Sequence, residues 1–443
     1  MTLRFGTDGV RGVANVDLTP DAVLRLGRAA AEVLGASSFV LGRDTRRSGP
    51  MLEGALAAGL ASAGADVVLL GVIPTPGVAW AAALRGCAGG VTSASHNRFE
   101  DNGIKLFAPG GRKLTDPVER EIERRWHGAD ASPRIAGAEV GTITTDISLG
   151  ARYEDWLVDS VAGRLEGMTL VVDTANGAAS HIAPEVFRRL GASVVVLHDS
   201  PDGQNINEDA GSLHPDLLSE AVVKHRADAG LAFDGDADRL IAVDSNGKVV
   251  DGDHLLAILA VDRQARGLLV RDSVVVTVMT NLGFRRAMAS SGITVVETPV
   301  GDRYVLEALD EGGLSLGGEQ SGHIIFRDLA TTGDGVLSAL QVLDVVRRSG
   351  RSLAELADAA MVAVPQILVN VRVARHEADV AGVMADAIDA AQRRLGARGR
   401  VLVRASGTER LVRVMVEAES AAEAHEVASE LAAAAENSFG TAQ

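Results

Sequence analysis

Small, polar and β-branched positions fall into a phrase that recurs along the chain: Ser62-Ala-Gly-Ala-Asp-Val-Val-Leu-Leu70, Arg189-Leu-Gly-Ala-Ser-Val-Val-Val-Leu197 and Ser290-Ser-Gly-Ile-Thr-Val-Val-Glu297. In each copy an Ala/Leu-rich helical stretch closes on a glycine suited to a C-cap, and a β-branched run follows that reads as a buried strand. This αβ unit, met three times, predicts three similar α/β domains with mixed sheets. Each strand runs into a loop of special residues, Pro74-Thr-Pro76, Asp199-Ser-Pro-Asp-Gly203 and Pro299-Val-Gly-Asp-Arg303. In open α/β sheets, ligands gather at such strand ends. A helix start is written in Leu18-Thr-Pro-Asp21, with Thr19 as cap and Pro20 at the first helical position, and predicts a helix over 20–34.

The pattern changes at three places. Residues 129–150 are polar and weakly periodic, and a new strand is predicted over 168–173. Ile241 to Val250 reads as a hairpin on an Asn246-Gly247 turn, with a helix opening at Gly252. After Pro365, alternating strands are predicted over 367–373, 401–404 and 411–417, with helices over 376–395 and 420–436. The expected division is therefore 1–150, 151–252, 253–365 and a smaller C-terminal α+β domain, 366–443.

A length of 443 residues fits several domains, and a composition 47% hydrophobic, 23% charged and 3% aromatic is that of a globular protein. The net charge of −16 repels phosphodiester backbones and acidic membranes, so neither nucleic acid nor membrane is an expected partner, and an anionic substrate needs a local basic pocket. Apolar runs such as Leu255 to Val261 fall far short of the ~20 residues of a membrane span. With a lone Cys87 and an opening Met-Thr-Leu-Arg-Phe-Gly that lacks the apolar core of a signal peptide, the expected compartment is the cytoplasm.

Four polar segments carry candidate chemistry. The first is the loop after a strand predicted over 90–93, where Ser95 precedes His96 and Asn97. A capped turn is its plain alternative. The Gly-x-Ser-x-Gly elbow of the α/β serine hydrolases is missing around Ser95, which argues against acyl transfer. The second is Gly230-Leu-Ala-Phe-Asp-Gly-Asp-Ala-Asp-Arg239, with Asp234, Asp236 and Asp238 alternating at the end of an apolar strand. Such crowded carboxylates repel one another unless a cation joins them, and an all-oxygen set with room for a phosphate favours Mg²⁺. An EF-hand is excluded, since its sixth position would be Arg239 and its twelfth Ser245. A solvated acidic turn is the alternative. The third is Leu316-Gly-Gly-Glu-Gln-Ser-Gly-His323, whose glycines admit a ligand to the backbone and whose Glu319 and Ser321 suit sugar hydroxyls. The fourth, Arg404-Ala-Ser-Gly-Thr-Glu409 with Arg413 on the next strand, offers cations, hydroxyls and free N–H groups for a phosphate. Each of the last two also reads as an ordinary loop.

Together with Phe5-Gly-Thr-Asp-Gly-Val-Arg-Gly12, Gly42-Arg-Asp-Thr-Arg46 and Ser93-Ala-Ser-His-Asn97, these segments match the alpha-D-phosphohexomutases in order, spacing and wording from end to end, and the chain resembles that family. The resemblance implies four domains around a central active-site cleft, supplying phosphoserine, metal, sugar and phosphate loops in that order. Ser95 would carry the phosphoryl group, and Ser95, Asp234, Asp236 and Asp238 would hold one Mg²⁺. A glucosamine or glucose 1,6-bisphosphate would prime the chain, and glucosamine 6-phosphate and glucosamine 1-phosphate would interconvert through a bisphosphate that turns end over end, towards UDP-N-acetylglucosamine and cell-wall precursors. Arg404, Ser406, Gly407, Thr408 and Arg413 would clamp the phosphate; Glu319 and Ser321 would read the sugar, with Arg239, Gly301 and Asp302 as further substrate contacts.

Catalytic candidates beside the phosphoserine are Lys105, Arg11, His96 and His323. Arg11 supplies charge rather than a base, and Lys105 acts as a base only if its pKa is lowered. Arg98 and Arg410 stand where the family usually has Pro, and Ala237 where Gly is common, which predicts less stiff loops. Gln320 is the residue that favours glucosamine over mannose or glucose phosphates, relatives of which remain an alternative. A regulator that binds a phosphosugar without turnover is another, and would tolerate loss of Ser95 or of an aspartate. A homodimer is compatible with this reading, with no residue arguing for it.

Overall fold

The computed structural model describes residues 3–6, 8–128, 135–374, 379–405 and 411–440. The chain forms two compact units, Met1–Met279 with Gly292–Ala360, and Thr280–Ser291 with Met361–Gln443.

Three sheets build the first unit. The first runs in the order Val10–Val13, Asp101–Ala108, Ala88–Thr92, Ser38–Arg43, Asp66–Val72, Ile143–Thr145, with Arg112–Lys113 also paired to Asp101–Ala108. The second runs Val249–Val250, Leu240–Asp244, Ala229–Phe233, Thr169–Asp173, Ser193–Leu197, and the third Thr294–Thr298, Ser273–Thr277, Leu316–Gly318, Ile324–Phe326. One four-strand order is common to all three. The strand of the recurring phrase lies parallel to a neighbour, the neighbour lies parallel to a third strand, and the third pairs antiparallel with a fourth. The fold is thus the expected set of α/β domains with mixed sheets.

The phrase strands differ from the expectation in burial. Asp66–Val72, Ser193–Leu197 and Thr294–Thr298 are half-buried, whereas Ala88–Thr92, Ala229–Phe233 and Leu316–Gly318 are buried throughout. Ser193–Leu197 and Thr294–Thr298 are edge strands, and Asp66–Val72 has only the short, exposed Ile143–Thr145 on its outer side, so the third strand of each sheet forms the dry centre.

Local signals act as written. Helix Pro20–Leu34 starts where Thr19 accepts from the Ala22 N–H at 3.3 Å and ends at Gly35 with φ 58°. The hairpin turns at Gly247, φ 83°, with Asp244 accepting from the Asn246 N–H at 2.8 Å. Helix Gly252–Ala265 is capped by Asp251.

The second unit has a three-stranded antiparallel sheet, Gln366–Arg372, Leu411–Glu417, Arg400–Ala405 in spatial order, covered by helix Ala421–Phe439, with Val412, Val414, Val416, Val427 and Leu431 in its core. The single helix expected over 376–395 is in two pieces, Val380–Val383 and Ala385–Leu395, because Met384 leaves helical geometry at φ −99°, ψ 11°. Helix Leu282–Ser290 also belongs here. Fully buried Glu417 accepts from the Leu282 N–H, from Gln366 Nε2 at 2.9 Å and from Arg400 Nε at 2.9 Å, while Asn281 exchanges two hydrogen bonds with the Val364 backbone.

Within the first unit, Arg303 of helix Asp302–Gly312 reaches helix Asp116–His127, pairing with Asp116 and, at 2.5 Å, with Glu119. Burial pushes the Glu119 carboxyl up to about 7, against the pull of Arg303. The folded chain therefore holds this proton more tightly than the unfolded chain. Its contribution to stability is full below pH ~4.5 and is lost as pH rises through about 7. Replacing Glu119 by Gln removes the titration. Thermal melts at pH 5 and pH 8 are expected to show a smaller fall for Glu119→Gln than for the parent chain, by roughly 2–4 °C; equal falls refute the assignment.

Candidate active site

Each sheet of the first unit reverses from parallel to antiparallel between its third and fourth strands, and each reversal carries one candidate loop. Residues 93–100 join Ala88–Thr92 to Asp101–Ala108, residues 234–239 join Ala229–Phe233 to Leu240–Asp244, and residues 319–323 join Leu316–Gly318 to Ile324–Phe326. The chemistry thus sits two strands away from the phrase loops, where the sequence pattern placed it. The phrase loops support it instead: Thr75 donates to Asp236 at 2.5 Å, and Gly301 donates its N–H to Glu319 at 3.1 Å.

Ser95 is fully buried and has φ 50°, in the left-handed region. Its N–H donates to Ser93 Oγ at 3.0 Å, and Ser93 Oγ donates to Asp44 at 2.6 Å. Its hydroxyl donates to Asp234 Oδ2 at 2.5 Å and lies 3.3 Å from His96 Nδ1. The aspartate loop comes close enough that a Cβ on Gly235 would lie 2.6 Å from the Ser95 carbonyl oxygen. Only glycine permits that approach.

Asp234, Asp236 and Asp238 are buried, with one oxygen of each within 4.8 Å of the others. Lys105 Nζ lies 2.7 Å from Asp236, 3.3 Å from Asp238 and 2.7 Å from Asp8, and Asp8 also meets Arg11 at 2.7 Å and Lys113 at 3.2 Å. Burial pushes Asp8 up, but Lys105, Lys113 and Arg11 outweigh it and hold the group well below its ordinary value. Burial, Asp238 and Asp236 together push Asp234 up to about 8. Asp238 goes the other way: Lys105 and His323 overcome its burial and hold it low. Among the described residues, Asp236 Oδ1 and Asp238 Oδ1 are buried without a hydrogen-bond partner. A buried carboxylate oxygen with no donor, beside a carboxyl that cannot readily ionise, is the signature of an all-oxygen cation site, and the three residues fit a metal ion.

Lys105 does not meet the condition set for a base. Burial draws its pKa down, yet Asp236, Asp8 and Asp238 raise it well above the ordinary value, so it stands as a cation. His96 is pushed down to about 4 by burial, Arg239 and Arg11, and is a neutral ring whose Nδ1 lies 3.1 Å from Arg239 Nη1. Arg11 also reaches Asn97 Oδ1, at 3.4 Å.

The third loop abuts the second. The Leu240 N–H donates to the Gly322 carbonyl at 3.0 Å, and buried His323 places Nδ1 3.7 Å from Asp238 and Nε2 3.5 Å from Asp302, while Nε2 accepts from the Gly333 N–H at 3.2 Å. Burial lowers the His323 pKa, but Asp238 and Asp302 raise it more. Asp302 also pairs with Lys113. Burial raises the Glu319 carboxyl, and Ser321 Oγ has no partner among the described residues. Gly252 donates its N–H to the Gln320 carbonyl at 3.2 Å, which sets the loop on the helix that follows the hairpin.

In the second unit, Arg404 and Arg413 are direct cross-strand partners. Burial and Arg413 pull Arg404 below the ordinary guanidinium range, and Arg413 Nε has no partner among the described residues. Two facing guanidinium groups, with no ion pair to either among the described residues, are an anion site in form. Ser406, Gly407, Thr408 and Arg410 lie outside the described residues.

Asp8, Lys113, Thr75, Arg46 and Asn207 were not singled out from sequence as site residues. Asp8 and Arg46 lie inside quoted motifs and Thr75 inside the quoted Pro74-Thr-Pro76 loop, so a signal existed; Lys113 and Asn207 have no motif of their own. Arg98, in place of the usual proline, points to solvent and pairs with Glu208 at 3.2 Å, and its carbonyl is held by Arg46. The stiffness of that loop therefore comes from hydrogen bonds rather than from a ring.

Gly235→Ala is expected to drive the aspartate loop away from Ser95 and to lower turnover at least ~100-fold, since displacements near 1 Å carry penalties of that size. Steady-state kinetics of the purified variant check this, and near-normal turnover contradicts the close approach.

Models of the phosphoglucomutase/phosphomannomutase family match in four successive parts: alpha/beta/alpha domain I at residues 2–132, domain II at 151–247, domain III at 251–364 and the C-terminal domain at 368–434. The phosphoglucosamine mutase of Frankia alni is 54% identical, covering 98% of both chains, and that of Oceanobacillus iheyensis is 51% identical, covering 98% of this chain and 99% of its own. A crystal structure of a phosphoglucomutase/phosphomannomutase family protein from Burkholderia thailandensis is 26% identical with a TM-score of 0.82, covering 98% of this chain and 97% of its own. The N-acetylphosphoglucosamine mutase of Aspergillus fumigatus, solved with GlcNAc-6P and magnesium, shares the fold at 20% identity, TM-score 0.71, and covers 99% of this chain and 96% of its own. The chain belongs to the phosphoglucomutase/phosphomannomutase family, among its phosphoglucosamine mutases.

Proposed function

We propose that the chain interconverts glucosamine 6-phosphate and glucosamine 1-phosphate, with Ser95 as the phosphoryl carrier. Identity of 51–54% to phosphoglucosamine mutases over nearly the whole chain carries the substrate, and the Ser95 hydroxyl donating to Asp234 at 2.5 Å beside two carboxylate oxygens that accept no hydrogen bond among the described residues supports the chemistry. Residues 1–150 would supply the phosphoserine loop, 151–252 the metal loop, 253–365 the sugar loop and 366–443 the phosphate clamp.

Asp234, Asp236 and Asp238, with a phosphoryl oxygen on Ser95, would hold Mg²⁺; when bound, it neutralises the phosphoserine dianion and the oxygen that leaves. In the first half-reaction the sugar O1 bonds to phosphorus as the bond to Ser95 Oγ breaks, and the O1 proton is given up while Ser95 Oγ regains one. The second half runs in reverse, with O6 as the leaving oxygen. Lys105, Arg11 and Arg239 are fixed cations around the transferring group, and Arg404 and Arg413, with Ser406, Gly407 and Thr408, would clamp the other phosphate in either orientation. Glu319 and Ser321 would meet sugar hydroxyls, with Gly301 and Asp302 shaping the same wall; His323 and His96 hold the aspartates and the arginine in place. A sugar 1,6-bisphosphate would prime Ser95. No helix among the described residues is long and apolar enough to cross a membrane; the cytoplasm would be the site of action.

Glucosamine 1-phosphate formation with Mg²⁺ and glucose 1,6-bisphosphate, run beside intact-mass analysis, tests this. The parent chain is expected to turn over and to carry one extra phosphoryl group, and Ser95→Ala to lose the group and at least ~10³-fold in activity with its fold retained. Turnover of mannose or glucose phosphates alone would overturn the sugar assignment, and a parent chain with neither turnover nor phosphoryl group would point to a binding protein.

Cation binding has its own readout. Mg²⁺ is expected to raise the melting temperature of the parent chain, because a ligand held only by the folded state stabilises it, and to leave Asp236→Asn nearly unmoved. Equal shifts in both chains would remove the aspartates from the site.

A further inference from the structure

We infer that Arg46 and Asn207 are positioning residues that together fix the attitude of Ser95. The inference rests on the reading of Ser95 as phosphoryl carrier. Neither side chain touches the Ser95 hydroxyl; both grip the same two carbonyls of its loop. Arg46 Nη2 donates to the Ser95 and Asn97 carbonyls at 2.9 and 2.8 Å, and Asn207 Nδ2 donates to the same pair at 2.8 and 2.9 Å.

The two clamps arrive from different sheets. Arg46 follows strand Ser38–Arg43 of the first sheet, and Asn207 lies in the loop after strand Ser193–Leu197 of the second. Arg46 is 1% exposed, and its other nitrogens are occupied too: Nε pairs with Asp44 at 2.8 Å, and Nη1 donates to the carbonyls of Asp101, at 3.0 Å, and Arg98. One guanidinium therefore closes the whole 95–101 segment on itself. Asn207 is 7% exposed and is anchored through its own N–H to the Ala175 carbonyl at 2.9 Å.

Two grips on one pair of carbonyls exceed what satisfying those acceptors requires. The conformation explains them. Ser95 sits at φ 50°, a region unfavourable to a residue with a side chain that persists only where the surroundings over-determine it. In that conformation its hydroxyl meets Asp234. A serine that gives up and regains a phosphoryl group must return its oxygen to one point twice per cycle, and held carbonyls on either side are the means. Asn207 has a second role in the same geometry. A Cβ on Gly235 would lie 2.8 Å from its amide nitrogen, so Asn207 fills the seam between the serine loop and the aspartate loop and fixes one against the other.

Lysine at position 46 retains the charge facing Asp44 but presents a single point donor instead of a fork. Alanine at position 207 removes the second grip without adding bulk. The test measures kcat and KM for glucosamine 6-phosphate, the melting temperature, and the rate at which glucose 1,6-bisphosphate loads Ser95, followed by intact mass, for the parent chain, Arg46→Lys and Asn207→Ala. Both variants are expected to lose about 10- to 100-fold in kcat and in loading rate, with KM within about twofold of the parent. Unchanged kcat and loading, or losses that vanish when each chain is assayed at the same interval below its own melting temperature, would overturn the inference by assigning the clamps to stability alone. If Arg46→Lys does not fold, Asn207→Ala decides by the same two criteria. Because loading from the bisphosphate does not require glucosamine, a parent chain that loads Ser95 but turns over another sugar leaves this inference standing while refuting the proposed substrate. A parent chain that never loads Ser95 refutes both.

Discussion

Everything at the first unit's site follows from one electrostatic problem: Asp234, Asp236 and Asp238 are buried with one oxygen of each within 4.8 Å of the others, and Asp8 shares Lys105 with two of them. Carboxylates in a dry interior cannot all ionise unless cations stand against them. The protein meets this partly from its own resources. Lys105 lies between Asp236, Asp238 and Asp8, while Arg11 and Lys113 complete the pairing of Asp8. Compensation stops short at Asp234, whose carboxyl is pushed up to about 8, and at the outward oxygens of Asp236 and Asp238. That shortfall is local and directional, which is what distinguishes a cation site from a structural ion-pair network.

The same problem dictates who can be a base. A lysine surrounded by carboxylates becomes harder to deprotonate, and Asp236, Asp8 and Asp238 raise the Lys105 pKa against the pull of its burial. A histidine among guanidinium groups in a dry pocket stays neutral, so His96 Nδ1 can accept from Arg239. Both assignments depend on neighbours that lie more than a hundred residues away in the chain, such as Asp236 for Lys105 and Arg239 for His96. They are statements about three-dimensional charge, which a linear pattern does not contain.

What the linear pattern did contain is the architecture. The recurring phrase at Ser62, Arg189 and Ser290 marks the same strand of three equivalent sheets, because a glycine C-cap followed by a β-branched run is a local signal that survives in every copy. The position of the chemistry within each sheet was not legible from that phrase. The active loops lie where the sheet turns antiparallel, and strand direction is decided by pairing partners rather than by any residue in the loop. The aspartates could be singled out because crowded carboxylates at the end of an apolar strand are unusual, whereas Ser95, Glu319 and the two arginines were singled out through motifs that resemble the family, since each segment also reads as an ordinary turn or loop. Thr75, Lys113 and Asn207 were not, since an isolated Thr, Lys or Asn in a loop is ordinary until the fold brings a carboxylate or a carbonyl to it.

The second unit answers the first with the opposite sign. A chain with net charge −16 repels an anionic sugar phosphate over most of its surface, so binding one requires a place where positive charge has been left over. Arg404 and Arg413 stand directly opposite on neighbouring strands, a pairing that is unfavourable in itself, and burial together with Arg413 lowers the Arg404 pKa. Like charges set side by side weaken a sheet, just as crowded carboxylates weaken a loop, and in both units the protein leaves the imbalance in place. In the first unit the imbalance is one of buried carboxylates, and in the second one of facing guanidinium groups.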